Sequence, residues 1–170
     1  MERLWSPWRL SYVTRAAETG ASTITESGCV FCELEGRNED LVVHRGDLCY
    51  VILNLYPYNN GHVMVVPNRH FAELVSTTAD ERAELMALVR HAEMALGEAY
   101  RPDGINVGIN LGRTAGAGIL EHLHVHLVPR WNGDTNFMGV IADTRVLPED
   151  LSQTAARLRP IFERLAKQDT

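Results

Sequence analysis

The chain has 170 residues, of which 45% are hydrophobic, 22% charged and 7% aromatic, a balance typical of one globular domain that excludes disordered and collagen-like chains. Sixteen Lys and Arg against 22 Asp and Glu give a formal charge of -6, which disfavours partners such as nucleic acid or an anionic membrane. No apolar stretch approaches the ~20 residues of a membrane span. Met1 to Leu10 has charges and two tryptophans where a signal peptide would have an apolar run, which indicates a soluble cytoplasmic protein. The cysteines, Cys29, Cys32 and Cys49, do not suit a secreted disulfide framework, so reduced thiols are expected.

Residues 1–28 are predicted to be an N-terminal extension. Leu4 to Val13 is rich in aromatic residues, including Trp5 and Trp8, and is expected to pack on the body of the protein or on a second subunit. Ala16 to Gly28 has no apolar periodicity and is typical of a connector.

Alternating apolar runs predict three antiparallel strands at Leu41–His44, Leu48–Leu53 and His62–Pro67. Thr78 and Glu81 form a capping box, which predicts the start of a long amphipathic helix over Ala79–Tyr100.

Two further strands are predicted at Ile105–Leu111 and Leu120–Val128, and a C-terminal helix, kinked at Pro160, at Leu151–Leu165. The order of elements indicates an α+β fold with a five-stranded antiparallel sheet. His44 and His91 are expected on the surface, and Cys49 is given no role.

Three histidines alternate with apolar residues in the last predicted strand. Because strand side chains alternate between faces, His122, His124 and His126 are expected on one face, with Leu123, Val125 and Leu127 on the other. Such a row suits either a metal site or phosphate chemistry in which one imidazole attacks phosphorus. A glycine-rich segment, Gly104 to Gly118, precedes the row and favours phosphate, because glycines let backbone amides approach an oxyanion.

These residues resemble the histidine triad (HIT) family of nucleotide hydrolases and transferases, whose motif is His-x-His-x-His-x-x with apolar x. His122 to Val128 match this motif in full, and the likeness extends to Asn54, Gly61 to Pro67, His70 and Asn110. The resemblance implies a HIT fold with the nucleotide-binding catalytic domain at residues 29–137. Residues 138–170 would then form a C-terminal extension packed on the same domain.

The resemblance also implies roles for individual residues. His124 would be the nucleophile that forms a nucleotidyl-histidine, supported by His126, His62 and His122. Asn54 would hold the ribose, and the base pocket would comprise Val30, Phe31, Leu34, Ile52 and Leu55. Phosphate-binding positions would be Asn110, Arg113, Ala117, Gly118 and Trp131.

The flanking residues Tyr56 to His62 and Pro129 to Phe137 are similar to the bacterial group that cleaves diadenosine tetraphosphate. Phosphate, giving ADP and ATP, or water would be the acceptor. Hydrolysis of adenosine 5'-phosphoramidates is the alternative, which is disfavoured because Gly116-Ala117-Gly118 stands where that branch has a hydroxyl side chain. A non-catalytic nucleotide-binding or zinc-binding interaction module is a third possibility, against which the complete triad argues.

The Cys29–Cys32 pair has three interpretations from spacing alone: redox chemistry, zinc binding or coincidence. The resemblance implies a structural zinc held by Cys29, Cys32, His70 and His122, and no organic cofactor. It also implies a homodimer paired through the long helix and a sheet edge. Met86, Leu88, Met94 and Ala95 widen the apolar stripe of that helix beyond what a monomer needs.

Overall fold

Five strands form one antiparallel sheet in the computed structural model, which describes residues 28–34, 38–134 and 149–168. The strands are β1 (Val42–Arg45), β2 (Cys49–Leu53), β3 (Val63–Pro67), β4 (Gly104–Ile109) and β5 (Val125–Arg130), and the helices are α1 (Ala79–Tyr100) and α2 (Leu151–Ala166). Single 3₁₀ turns lie at Glu39–Leu41, Leu74–Ser76 and Arg113–Ala115. The predicted segments at Leu4 to Val13 and Ala16 to residue 27 lie outside the described residues.

The strand order in space is β1-β2-β3-β5-β4. Successive strands form hairpins up to β3, and β5 then lies between β3 and β4. Met64 of β3 and Gly108 of β4 both lie beside His126 of β5. This topology confirms the predicted α+β class and its five-stranded antiparallel sheet.

The sheet has a different hydrophobic layer on each face. Both helices pack against one face, where Val51, Leu53, Val63 and Val65 meet Leu96 of α1, Phe162 of α2 and their neighbours. On the other face the alternate residues Tyr50, Ile52, Met64 and Val66 pack against Cys29, Phe31 and Leu34 of the segment 28–34. The strict alternation of strand side chains produces these two layers.

Helix α1 begins and ends where the sequence predicts. The Thr78 side chain accepts from the backbone N–H of Glu81, and the Glu81 carboxylate accepts from the backbone N–H of Thr78. Leu88 and Ala95, expected to widen an exposed stripe, are instead buried in the chain's own core, whereas Met86 and Met94 are 61% and 41% exposed. Helix α2 continues through the exposed Pro160.

The last two predicted strands, at Ile105–Leu111 and Leu120–Val128, have different bounds in the structure. The strand expected at Leu120–Val128 begins only at Val125, because the groups before it are committed elsewhere. Leu123 donates its backbone N–H to the Phe71 carbonyl, and the backbone carbonyl of His122 accepts from Nδ1 of the His124 ring. Strand β4 ends at Ile109 rather than Leu111.

The surface positions expected for His44 and His91 are wrong. His91 is 6% exposed, and the half-buried His44 stacks on Phe162 with ring centroids 5.6 Å apart. Packing of α2 against β1 covers His44, and burial together with the nearby His91 lowers the pKa of His44. Among the described residues, neither helix has the length and apolarity needed to cross a lipid bilayer.

Candidate active site

The three triad histidines lie on the sheet face opposite the helices, as their alternation predicts. Leu123, Val125 and Leu127 enter the core beneath α1 and α2, while the rings of His124 and His126 lie 4.8 Å apart, centroid to centroid. The ring of Phe31 on the same face packs against the rings of His122 and His124, with centroid distances of 5.5 and 5.2 Å. The alternation continues through His122 and His124 even though β5 begins only at Val125.

One nitrogen of His124 is fixed by a backbone contact. Its Nδ1 lies 2.8 Å from the carbonyl oxygen of His122, and because a carbonyl can only accept, Nδ1 carries the proton. A neutral His124 therefore has a lone pair on Nε2. Burial lowers the pKa of His124, which keeps this ring neutral, so Nε2 is suited to act as a nucleophile.

A hydrogen-bonded pair of histidines, His62 and His126, lies beside His124. His62 Nε2 is 3.0 Å from His126 Nδ1, and the backbone N–H of Tyr58 points at His62 Nδ1 over 3.1 Å. Since an amide can only donate, His62 Nδ1 accepts and its proton lies on Nε2, which donates to His126 Nδ1. The remaining proton of His126 then lies on Nε2, so His126 offers a hydrogen bond to an oxyanion.

Residues 54–62 form the loop that places His62. Gly61 in this loop has φ of 74°, and a side chain on it would meet the Tyr100 ring at 2.9 Å, so only glycine fits this turn against α1. The Tyr58 ring packs on His62 and His126, with centroids 4.8 and 6.0 Å apart. Sequence reasoning missed Tyr58, because its backbone N–H leaves no mark in the sequence.

The turn after β5 is joined to this loop by Asp134, which sequence reasoning also missed. Its carboxylate accepts from the Asn59 amide at 2.9 Å and from Arg130 at 2.5 Å. The same amide nitrogen of Asn59 donates to the carbonyl of Pro129. This network fixes the turn that begins at Trp131 relative to the loop that carries Tyr58 and His62.

The predicted base-pocket residues divide into two groups. Phe31, Leu34 and Ile52 are buried together on the histidine face of the sheet. Val30 and Leu55 are 42% and 47% exposed.

Both the oxygen and the nitrogen of the side-chain amide of Asn54, the residue predicted to bind ribose, make hydrogen bonds. Its Oδ1 accepts from the backbone N–H of Tyr56 at 2.9 Å, which directs Nδ2 at His62 Nδ1 over 3.3 Å.

The predicted phosphate-binding residues lie where the sheet brings the glycine-rich segment to the triad. Because β4 pairs Ile109 with Val125, Asn110 leaves the sheet beside His124. Arg113 and Gly118 are exposed, Trp131 is half-buried and Ala117 is 5% exposed. Of these residues, only Asn110 is placed beside the triad by the strand register, and the side chain of Ala117 is buried.

Four side chains form a candidate metal site beside the triad. The ligand atoms of Cys29, Cys32, His70 and His122 all lie within 4.8 Å of one another. His122 donates from Nε2 to the Pro67 carbonyl at 2.9 Å, so its Nδ1 lone pair faces the Cys29 and Cys32 sulfurs at 3.4 and 3.5 Å. Two thiolates and two imidazoles are the donor set that Zn²⁺ takes in closed tetrahedral sites.

The fold and site define a class of protein in which three alternating histidines share one face of an antiparallel sheet with a fourth, His62, hydrogen-bonded to them. A model of the HIT domain matches residues 35–133, and this chain belongs to the HIT family. AP-4-A phosphorylase of Mycobacterium tuberculosis is 45% identical to it over 157 residues, which are 91% of this chain and 80% of that protein.

Solved structures give the same result. A Zn-bound histidine triad family protein from Mycobacterium smegmatis superposes with a TM-score of 0.68 at 28% identity, covering 85% of this chain and 99% of that one. A hypothetical histidine triad nucleotide-binding protein from Sulfolobus tokodaii has a TM-score of 0.63 at 29% identity, over 82% of this chain and 93% of its own. These likenesses confirm the predicted HIT-like fold.

Proposed function

We propose that this protein cleaves diadenosine tetraphosphate by nucleotidyl transfer, with residues 29–137 as its catalytic domain. The observation that carries the proposal is the free Nε2 of His124, created by the 2.8 Å bond of its Nδ1 to the His122 carbonyl. The 45% identity to AP-4-A phosphorylase supports the choice of substrate. The reaction takes place in the cytoplasm, where free thiols such as those of Cys29 and Cys32 persist.

In the first step His124 Nε2 attacks the α-phosphorus of one adenosine, and the P–O bond to the remaining phosphate chain breaks. The product is an adenylyl-histidine, and the leaving ATP takes the electron pair. His126 Nε2–H binds a phosphate oxygen as charge accumulates there. Backbone amides at Ala117 and Gly118, with Asn110, Arg113 and Trp131, hold the phosphate chain.

In the second step inorganic phosphate attacks the adenylyl group, and the N–P bond breaks with its electron pair returning to His124. ADP leaves, so the overall products are ADP and ATP. Phe31, Leu34 and Ile52 contact the adenine base, with Val30 and Leu55 at the open rim. The Asn54 amide reaches the ribose while its Oδ1 stays on Tyr56 N–H.

Incubation with diadenosine tetraphosphate, with and without inorganic phosphate, tests the proposal when products are separated by anion exchange. ADP and ATP in equal amounts, formed only when phosphate is added, are the expected result. AMP and ATP would identify water as the acceptor. No cleavage under either condition, with rapid cleavage of an adenosine 5'-phosphoramidate, would replace the proposal by the phosphoramidate alternative.

We also propose that this protein binds one structural zinc ion. The closed Cys29, Cys32, His70 and His122 set leaves no position for substrate, so the metal would stabilise the fold. It would tie the segment 28–34, which carries Phe31, to the residue that begins the triad.

A homodimer is the proposed assembly. Helix α1 covers β2, β3 and β5 and α2 covers β1, whereas the edge strand β4 is largely exposed: Ile105 and Ile109 pack against the core, but Val107 between them is 52% exposed. Met86 and Met94 are exposed on α1 two turns apart on the same side of the helix. A second copy seated on β4 and this side of α1 would bury the apolar side chains and the open backbone edge together.

A further inference from the structure

We infer that the nucleoside triphosphate that leaves in the first step lies across strand β4, where Gly108 provides space for its phosphates and Arg130 stacks on its base. The inference rests on the proposed nucleotidyl transfer to His124. It assigns a subsite for the second half of the substrate, which determines which nucleotides the protein prefers. Two glycines of the glycine-rich segment, Gly104 and Gly108, lie inside β4, the edge strand beside β5.

The histidine face of the sheet is covered over β2 and β3 but open over β4. Strand register places Ile52, Met64, His126 and Gly108 in one row across the sheet, and residues paired in this way point to the same face. Segment 28–34 packs over Ile52 and Met64. In the part of the chain that the structure describes, no atom beyond the chain neighbours lies within 4 Å of a Cβ placed on Gly108. The row therefore runs from the covered base pocket, past His126, to open space.

Neither the backbone nor the packing of the described residues requires glycine in β4. Gly112 and Gly116 have φ of 80° and 83°, whereas Gly104 and Gly108 have ordinary strand conformations. A Cβ on Gly104 would also meet no described atom within 4 Å. Glycine weakens the interior of a strand, and it often marks a place where a ligand approaches closely. The missing side chains keep the surface beside His126 open.

The open surface lies on the side towards which the leaving phosphates extend. The bond that breaks is on the side of phosphorus opposite His124 Nε2, and the oxygen of the leaving phosphate takes the electron pair. The Tyr58 ring packs on His126 from the loop that precedes β3, so it bounds the site on that side. Asn110, proposed to hold the phosphate chain, follows Gly108 on the same face of the sheet. The phosphates therefore extend over Gly108.

Arg130 lies at the far end of this surface, four residues beyond His126 and about 13 Å along β5. Its Nε and Nη2 donate to Asp134, and its Nη1 donates to Asn106 at 2.9 Å. These bonds lie in the plane of the guanidinium group, and Asp134 balances its charge, so Arg130 presents a planar face to a ligand. Guanidinium planes stack on nucleobases. The second adenine is expected to stack there, after the phosphates and ribose have crossed Gly108.

Such a subsite distinguishes a dinucleotide from a nucleotide that ends in bare phosphate. Adenosine tetraphosphate supplies the same adenylyl group to His124 and a chain of phosphates to leave, but it has no second base for Arg130. We expect wild-type protein to prefer diadenosine tetraphosphate by about tenfold in kcat/KM, which is within the range that stacking of one base provides. Equal kcat/KM for the two substrates would overturn the inference.

Gly108→Val tests the space beside His126. Valine suits a strand and would occupy the path of the phosphates, so kcat/KM for diadenosine tetraphosphate should fall by about tenfold or more. The p-nitrophenyl ester of AMP has a small leaving group and should keep its kcat/KM within about threefold of wild type. Gly97→Ala, at an exposed glycine of α1, is the control and should change neither value. Equal losses with the dinucleotide and the ester in Gly108→Val would overturn the inference.

Arg130→Lys tests the stacking surface. Lysine keeps the positive charge beside Asp134 but has no planar face. The variant should therefore lose most of the preference for diadenosine tetraphosphate over adenosine tetraphosphate, with the nitrophenyl ester unaffected. An unchanged preference would remove Arg130 from the subsite. Thermal unfolding and sedimentation show whether each variant keeps its fold and assembly.

NMR of the wild-type protein provides a measurement that requires no variant. A methylene-bridged analogue of diadenosine tetraphosphate, which cannot be cleaved, should shift the amide signals of Gly104 and Gly108 and the Nε–H signal of Arg130. AMP should leave these three signals unchanged, and both ligands should shift Phe31. Shifts confined to the surroundings of Phe31 with both ligands would overturn the inference. Absence of turnover with every substrate would instead overturn the proposed nucleotidyl transfer, so the two failures are distinguishable.

Discussion

The two nitrogens of His124 have different surroundings, and replacing this residue separates chemistry from binding. His124→Asn removes the nucleophile but keeps a polar side chain of moderate size. Turnover of diadenosine tetraphosphate should fall roughly 10³-fold or more, while the Kd for a nucleotide changes less than about tenfold. Product analysis and calorimetry measure the two quantities.

The control for this substitution is His44→Asn, which makes the same replacement on the helix-covered face of the sheet. Its activity per folded molecule should equal that of the wild type. Residual turnover of His124→Asn above about a tenth of wild type would remove His124 from the role of nucleophile.

Single residues also show what a sequence can and cannot reveal. His122, His124 and His126 were predictable on one face because the strand period of two is visible in the residue types. Tyr58 and Asp134 were not, because the first acts through its backbone N–H and the second through contacts with Asn59 and Arg130. Neither kind of contact has a local pattern.

At the level of secondary-structure elements, the start of α1 depends on one carboxylate. Hydrogen bonds from Arg69, then bonds from Thr78, lower the pKa of Glu81 from its usual value near 4.5 to about 2. A lowered folded-state pKa stabilises the protein above about pH 4.5, and this stabilisation is lost as the pH falls towards 2.

Glu81→Gln should therefore lower the free energy of unfolding by about 1 kcal/mol at neutral pH, the usual value of a helix cap. The difference from wild type should shrink as the pH falls from about 4.5 to about 2. Urea unfolding at a series of pH values measures it, with Glu163→Gln at an exposed position of α2 as the control. A pH-independent difference would show that the charge of Glu81 is unimportant.

The segment 28–34 is the element most dependent on the proposed metal. Purified protein should contain about one zinc per chain, and Cys29→Ser with Cys32→Ser should lose both the metal and several degrees of Tm. Elemental analysis and thermal unfolding give the two readings. Cys49→Ala, a buried cysteine of strand β2 outside the cluster, should keep its zinc. Wild-type protein purified without metal, and with a Tm equal to that of the double variant, would contradict the zinc site.

Element boundaries were less predictable than the elements themselves. Helix α1 carries its own capping box, so its start at Ala79 is a local property. The start of β5 at Val125 depends on contacts outside the sheet, since the Phe71 carbonyl accepts the backbone N–H of Leu123 and the His124 ring donates to the His122 carbonyl. A strand begins only where its backbone groups are free to pair with the neighbouring strands. The apolar alternation over Leu120–Val128 does not reveal which backbone groups are bonded elsewhere.

For the whole molecule, the uncovered edge of the sheet leads to a prediction about mass. Sedimentation equilibrium at micromolar concentration should give twice the 19.0 kDa of one chain. Val107→Lys should shift the protein towards monomer, because a charge would be buried against the second copy. Val30→Lys, at an exposed position on the opposite face of the sheet, should leave the dimer intact. A 19 kDa wild-type species would contradict the dimer.

The junction between β3 and β5 also governs how the site is assembled during folding. His62 lies next to β3 and His126 lies in β5, far apart in the chain, and they meet only when Val63, Met64 and Val65 pair with Leu127, His126 and Val125. Such a non-local pairing forms late and cooperatively. Catalytic competence therefore arises with the native state itself, and a partly folded chain that retains both helices and the first hairpin would be inert.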